Sequence, residues 1–177
     1  MVVEMEKFFI TVFCFLSLAV NQVFAASQGM KLYQNSTYNF SIEIPNYMSY
    51  FTPNNPNVKM SAGIQGFNMN VIVKSSPMKD SDDYFLNDLL DEQVAQYKNI
   101  GVSVLEYYVV NLPHYRVGYL ADIVTYNYPE VSFQMTQYTF QFVRNWKYYC
   151  VSYFVTRGKE HLYQSTIKKS IDSLVVD

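Results

Sequence analysis

Residues that carry chemistry are scarce in this chain of 177 residues, which holds two cysteines, Cys14 and Cys150, two histidines, His114 and His161, and one tryptophan, Trp146. A tetrahedral zinc site would need both histidines and carboxylates drawn from distant segments, and no run has the ligand spacing of a zinc module. Cys14 lies inside an N-terminal apolar run that the sequence marks for removal, so a disulfide within the mature chain is excluded and packing alone must hold the fold. Cys150 stands in the strand-like run Lys147 to Phe154, where a thiol serves as a small apolar side chain. Charge is low as well: charged residues are 16% and the net charge is −2, with no basic stretch to follow a phosphate backbone, so nucleic acid is excluded as a partner. The chain also lacks a Gly-x-Ser-x-Gly nucleophile elbow, a His-Glu-x-x-His helix and a glycine-rich phosphate loop. Ser-x-x-Lys occurs twice, at Ser76 to Lys79 in a proline loop and at Ser165 to Lys168 on an amphipathic stretch, and neither has the context of a nucleophile. The expectation is a chain without catalytic residues, metal or cofactor.

The chain does begin with a leader. Lys7 precedes the apolar run Phe8 to Val20, and Val23-Phe24-Ala25-Ala26 puts small residues where a signal peptidase reads. The run is shorter than the ~20 residues of a membrane-spanning helix and ends at Asn21-Gln22 without a basic stop-transfer cluster. These features predict a signal peptide at 1–25, a single domain at 26–177, a periplasmic or secreted location and no stable membrane anchor.

Aromatic residues are 18% of the chain, 17 of them tyrosines, which can cover a sheet while keeping a hydroxyl in water. From Ala26 to Asn35 the sequence is polar and reads as a lead-in. Tyr38 to Pro45 then alternates with period two and stops at a proline that cannot donate to a ladder. An irregular segment, 46–57, holds Pro53, Pro56 and four asparagines among its residues. Val58 to Ile64 and Met69 to Lys74 read as a hairpin. Asp80-Ser81-Asp82-Asp83 opens a helix, with Asp80 or Ser81 as the cap, and Leu86, Leu90, Val94 and Tyr97 share one face before Gly101 ends it. Four strands follow, near 102–112, 115–126, 131–143 and 147–156, as an antiparallel meander apolar on both faces. In the third, apolar residues pass from odd positions (Val131, Phe133, Met135) to even ones (Tyr138, Phe140, Phe142), which predicts a β-bulge near Thr136-Gln137. Lys159 to Val175 has Tyr163, Ile167, Ile171 and Leu174 at helical spacing. The predicted fold is α+β: an antiparallel sheet of about seven strands, in the order three strands, helix, four strands, helix, sandwiched with two amphipathic helices.

Candidate binding residues are Tyr47, Tyr50 and Phe51 in the irregular segment, where aromatic anchors could serve an interface, and His114 and Arg116 at the turn after Pro113. Glu106 and Asp122 lie within strands and would either face solvent or pair with a base such as Arg116 across the meander.

The opening strand Tyr38-Asn39-Phe40-Ser41-Ile42-Glu43-Ile44-Pro45, the hairpin near 58–74, the helix from Asp82 to Tyr97, the meander, and the closing Ile167-Lys168-Lys169-Ser170-Ile171-Asp172-Ser173-Leu174 together resemble the PsbP-like family, which includes the bacterial DcrB-like proteins and a Ran-binding protein of nuclear transport. The resemblance spans nearly all of 26–177. It implies a non-enzymatic protein that binds a partner protein, here in the cell envelope or outside the cell, and it transfers no functional residue. An apolar-ligand carrier with a pocket beneath 46–57 is the alternative, and a hydrolase built on His114 or Cys150 ranks last.

Overall fold

The computed structural model describes residues 29–127 and 132–177. The predicted signal peptide with its cleavage site, the predicted turn at Tyr128-Pro129-Glu130 and the predicted start of the third meander strand lie outside them.

Among the described residues ten strands and two α-helices follow one another as β1 (Met30–Asn35), β2 (Phe40–Pro45), β3 (Ser49–Tyr50), β4 (Val58–Ile64), β5 (Phe67–Ser75), α1 (Asp83–Asn99), β6 (Ser103–Asn111), β7 (Arg116–Asn127), β8 (Ser132–Arg144), β9 (Lys147–Thr156), α2 (Gln164–Asp172) and β10 (Val175–Val176). Seven strands form one antiparallel sheet in the order β3-β4-β5-β9-β8-β7-β6, and β1-β2-β10 form a second, smaller one. The predicted α+β sandwich is therefore the observed one, with a small sheet added.

Alternation along the strands divides the large sheet into two buried faces. On one, Phe67, Met69, Val71, Val151, Tyr153 and Val155 pack with Ile42, Ile44, Ile167 and Ile171, so the small sheet and α2 close the main core. On the other, Leu120 packs against Leu90 and Val94 of α1. The helix comes in close because residue 118 is glycine: a Cβ there would stand 3.3 Å from Leu90 Cγ.

This double burial explains the phase change in β8. Its ladder to β7 and to β9 runs without a register shift, so the bulge expected near Thr136-Gln137 is absent. Odd residues Met135, Thr139, Gln141 and Val143 are buried on one face, and even residues Thr136, Phe140 and Phe142 on the other. Among the described residues register shifts lie in β4 between Val58 and Met60 and in β6 between Val104 and Glu106.

The start of the domain also differs from expectation. Met30–Asn35 is a strand paired to β2 over its whole length rather than part of a lead-in. Its exposed positions are Leu32 and Gln34 and its half-buried ones include Lys31 and Asn35, so polarity does not follow burial and only the pairing reveals it. Asp82, not Asp80 or Ser81, caps α1, its Oδ1 accepting from Phe85 N at 2.8 Å. Ser81 instead trades backbone and hydroxyl bonds with Val143, and Asp80 accepts from Asn145 N at 3.1 Å, so both serve to tie the segment before α1 to the β8–β9 turn. Gly101 takes φ +76° after the helix, as its position implied. The terminal helix is shorter than its apolar stripe: a 3₁₀ turn at Glu160–Leu162 precedes α2, and Leu174 is buried just before β10.

Tyr115 fastens that C-terminal strand. Its ring stacks on Phe142 at 4.8 Å, while its hydroxyl donates to Val176 O at 3.0 Å and accepts from Val176 N at 2.6 Å. Tyr115→Phe keeps the stack and removes both bonds. It is expected to lower stability by about 1–2 kcal/mol in denaturant melts, and an unchanged midpoint would show that the pin carries no weight.

Candidate functional site

The structure separates the residues singled out from sequence. Tyr50 and Phe51 stand at the β3–β4 edge of the large sheet, whereas His114 and Arg116 stand at the β6–β7 turn on the opposite edge. They do not form one site.

At the first edge Tyr50 and Phe51 are about half exposed, 49% and 52%. Tyr33 of β1 approaches Tyr50 with ring centroids 5.6 Å apart, and Lys31 Nζ sits 4.9 Å over the Tyr50 ring while donating to Met48 O at 2.7 Å. Next along, Lys59 Nζ lies 4.3 Å over the Tyr38 ring and donates to Pro56 O. The result is a surface of tyrosine and phenylalanine rings with two ammonium groups held against their faces. Tyr47 turns the other way: it packs partly against the main core, and burial pushes its hydroxyl pKa up, with Tyr163 adding to the shift. Met48 beside it is 2% exposed and belongs to the core, so it fills space beneath the loop where a carried ligand would lie.

At the other edge His114, Tyr115 and Arg116 line an open cleft of about 620 Å³ together with Asp80 to Tyr84. Its charges are spoken for within the chain: Arg116 Nε meets Asp83 Oδ1 at 2.7 Å and Arg144 Nη1 meets Asp80 Oδ1 at 3.4 Å. Arg116 thus pairs with the helix rather than with Glu106 or Asp122 across the meander. Glu106 accepts from the Tyr119 hydroxyl at 2.8 Å. These exposed pairs contribute little to stability.

A third feature escaped sequence reading. Beneath α1 a chain of hydrogen bonds runs from Tyr148 Oη to Gln141 Oε1 (2.7 Å), from Gln141 Nε2 to Gln93 Oε1 (2.7 Å) and from Gln93 Nε2 to Tyr97 Oη (3.2 Å). These residues also border a shallow hollow of about 260 Å³. Deeper under the helix Asp122 is 1% exposed, and neither carboxylate oxygen has a hydrogen-bond partner. Burial raises its pKa to about 7. The signal in the sequence was an acid in the middle of Val117-Gly118-Tyr119-Leu120-Ala121-Asp122-Ile123-Val124, a strand buried on both faces. On the same face Cys150 is buried beside Ser152, and burial pushes its thiol up, which keeps it protonated. Among the described residues no three His, Cys, Asp or Glu side chains gather as a metal site, and no helix is long and apolar enough to cross a membrane.

No family model matches the sequence, and no curated protein sequence matches it either. Solved structures do match. The solution structure of cyanobacterial PsbP (CyanoP) from Synechocystis sp. PCC 6803 superimposes with a TM-score of 0.63 at 11% identity, covering 92% of this chain and 99% of that one. A protein from Bacteroides thetaiotaomicron gives 0.57 at 11% identity, covering 85% of this chain and 49% of that one. The Ran-binding protein Mog1p of Saccharomyces cerevisiae gives 0.51 at 10% identity, covering 85% and 96%. The chain therefore has the PsbP-like fold that its order of elements implied, shared with the Ran-binding protein. At these identities the likeness is one of fold.

Proposed function

We propose that this protein is an exported, non-catalytic accessory module that binds another protein in the cell envelope or outside the cell, through the aromatic surface at the β3–β4 edge. The observation that carries the reading is the half-exposed pair Tyr50 and Phe51, with Tyr33, Lys31 and Lys59 beside them. Large rings held in place by neighbours lose little entropy on binding, and such anchors dominate interface energy. The polar clusters elsewhere are engaged in pairs or networks of the fold itself, and the Cys150 thiol is buried. The leader supports export. The sharing of the fold with a protein named for binding Ran supports protein binding in general.

Affinity capture from the native envelope fraction supplies the partner, after which variants separate the surfaces. Tyr50→Ala and Phe51→Ala are each expected to weaken binding at least tenfold with unchanged circular dichroism, as truncation of an anchor costs ~2 kcal/mol. His114→Ala should bind like the parent. If His114→Ala or Cys150→Ser loses binding while both aromatic variants retain it, the surface has been assigned to the wrong edge.

A further inference from the structure

Charge is spread unevenly along the chain. From Met30 to Lys79 the sequence holds four lysines, Lys31, Lys59, Lys74 and Lys79, and one acid, Glu43, whereas from Asp80 to Glu92 it holds six acids and no base. The acidic stretch opens and lines α1, which packs on β6 and β7 at one edge of the large sheet. Lys31 and Lys59 stand at the opposite edge, beside Tyr50 and Phe51. Glu43 does not neutralise them: it pairs with Leu32 across the small sheet, and strand alternation turns that position away from Lys31 and Tyr33. Among the described residues neither lysine has a carboxylate partner.

Both ammonium groups are nevertheless held in place. Lys31 Nζ donates to Met48 O at 2.7 Å and to Asn46 O at 3.4 Å while lying over the Tyr50 ring, and Lys59 Nζ donates to Pro56 O while lying over the Tyr38 ring. An ammonium has three N–H donors, so each lysine keeps at least one for a further acceptor. The edge itself is closed to an added strand: β3 pairs with Gly63 and Ala62, Phe51 N donates to Ser61 O at 3.0 Å, and Tyr33 Oη donates to Lys59 O at 3.2 Å. Recognition at this edge therefore falls to side chains.

We infer that the protein bound at this edge presents an acidic segment, with carboxylates that seat on the ammonium groups of Lys31 and Lys59 and an apolar side chain between them that packs on Tyr50 and Phe51. This rests on the binding role given above to the aromatic surface and adds the chemistry of what it binds. Positive groups fixed on rings, with no counter-charge of their own, select a partner of negative charge and reject a basic one. A carboxylate completes an ammonium that is already oriented, so little side-chain entropy is lost on pairing. An anionic membrane is the weaker fit, because lipid surfaces are held by clusters of about four to eight basic residues, and this edge places two against its rings.

The probe is a capped hexapeptide with two phenylalanines between pairs of glutamates, titrated into the isotope-labelled protein beside its counterpart with glutamines. The acidic peptide should shift the amide resonances of Lys31, Tyr50, Phe51 and Lys59 and bind about tenfold tighter than the glutamine one, a preference that shrinks as salt is raised. Lys31→Gln combined with Lys59→Gln should erase that preference and leave binding of the glutamine peptide unchanged, and Lys31→Arg with Lys59→Arg should restore it. Lysines that only brace the rings would weaken both peptides alike. Equal affinity for the two peptides, or no shift with the acidic one, overturns the inference. Equal affinity leaves the aromatic surface standing, whereas Tyr50→Ala and Phe51→Ala variants that take the acidic peptide as the parent does would sink the surface itself. Tighter binding to phosphatidylglycerol vesicles than to the peptide, or self-association in sedimentation that the glutamine variant loses, would make the occupant a membrane or a second copy and overturns the inference too.

Discussion

Leu90→Asp is expected to abolish the cooperative melting transition, while Asp91→Ala, one residue on, melts close to the parent. Leu90 is 1% exposed, packed with Val94 and Leu120 and seated over the space that Gly118 leaves open. A carboxylate forced into that contact has no partner and costs several kcal/mol, a large share of the ~5–15 kcal/mol that holds a domain of this size. The neighbourhood makes matters worse, because Asp122 already buries a carboxyl under the same helix, near enough to act on Tyr97. Asp91 points to solvent, so its removal leaves the packing intact. Thermal melts followed by circular dichroism, with size exclusion to detect aggregates, make the comparison. Equal midpoints for the two variants would show that α1 is rotated from the orientation described.

Elements that bury one face were plain in the sequence. The stripe Leu86, Leu90, Val94 and Tyr97 marked α1, and Ile167, Ile171 and Leu174 marked the C-terminal cover, because a one-sided environment writes its period into the chain. Elements with two buried faces or two polar ones were harder. In β8 the polar residues Thr136, Thr139 and Gln141 are each 1% exposed, so binary pattern misread a continuous strand as a bulged one. In β1 the apolar Leu32 is 56% exposed while the polar Lys31 and Asn35 are half-buried, so binary pattern hid a strand that backbone pairing defines. Turn chemistry marked the first hairpin, though β5 begins at Phe67 rather than Met69, but not which of three neighbouring polar residues would cap α1, a choice made by the β8–β9 turn and the end of β8, which occupy Asp80 and Ser81.

The candidate surfaces show the same division. That Tyr50 and Phe51 would be exposed and Tyr47 turned inward depends on where β1 runs, since Tyr33 and Lys31 brace Tyr50 from a strand that the sequence pattern did not disclose. Arg116 could be placed beside His114 from the turn, but its partner Asp83 comes from the first turn of α1, which topology alone brings to that edge. Both edges of the sheet thus acquire their character from segments distant in sequence, and this is why the tyrosine content by itself could not locate a site.

Asp122 supplies the second large effect, in the pH dependence of stability. An unfolded aspartate ionises near 3.8, whereas in the fold burial without a hydrogen-bond partner raises the pKa to about 7. Between those values the native state holds a proton that the unfolded state has released. Stability therefore falls as pH rises through that window, by about 1.4 kcal/mol per unit, and above about 7 the whole penalty stands, on the order of 4 kcal/mol. No neighbour donates to it: Val104 and Gln137 stand opposite it across the strands, and Tyr97 above it is itself pushed up by burial first and by the Asp122 charge second. Asp122→Asn mimics the protonated side chain at every pH. The parent should melt several degrees lower at pH 8 than at pH 5, and Asp122→Asn should flatten that slope, exceeding the parent most at pH 8 and less at pH 5, and matching it only near the unfolded value of 3.8 and below. A variant that keeps the parent's slope would mean that another group titrates in this range. One that is less stable than the parent at pH 8 would mean that the Asp122 carboxylate, ionised, is held by the fold rather than merely tolerated.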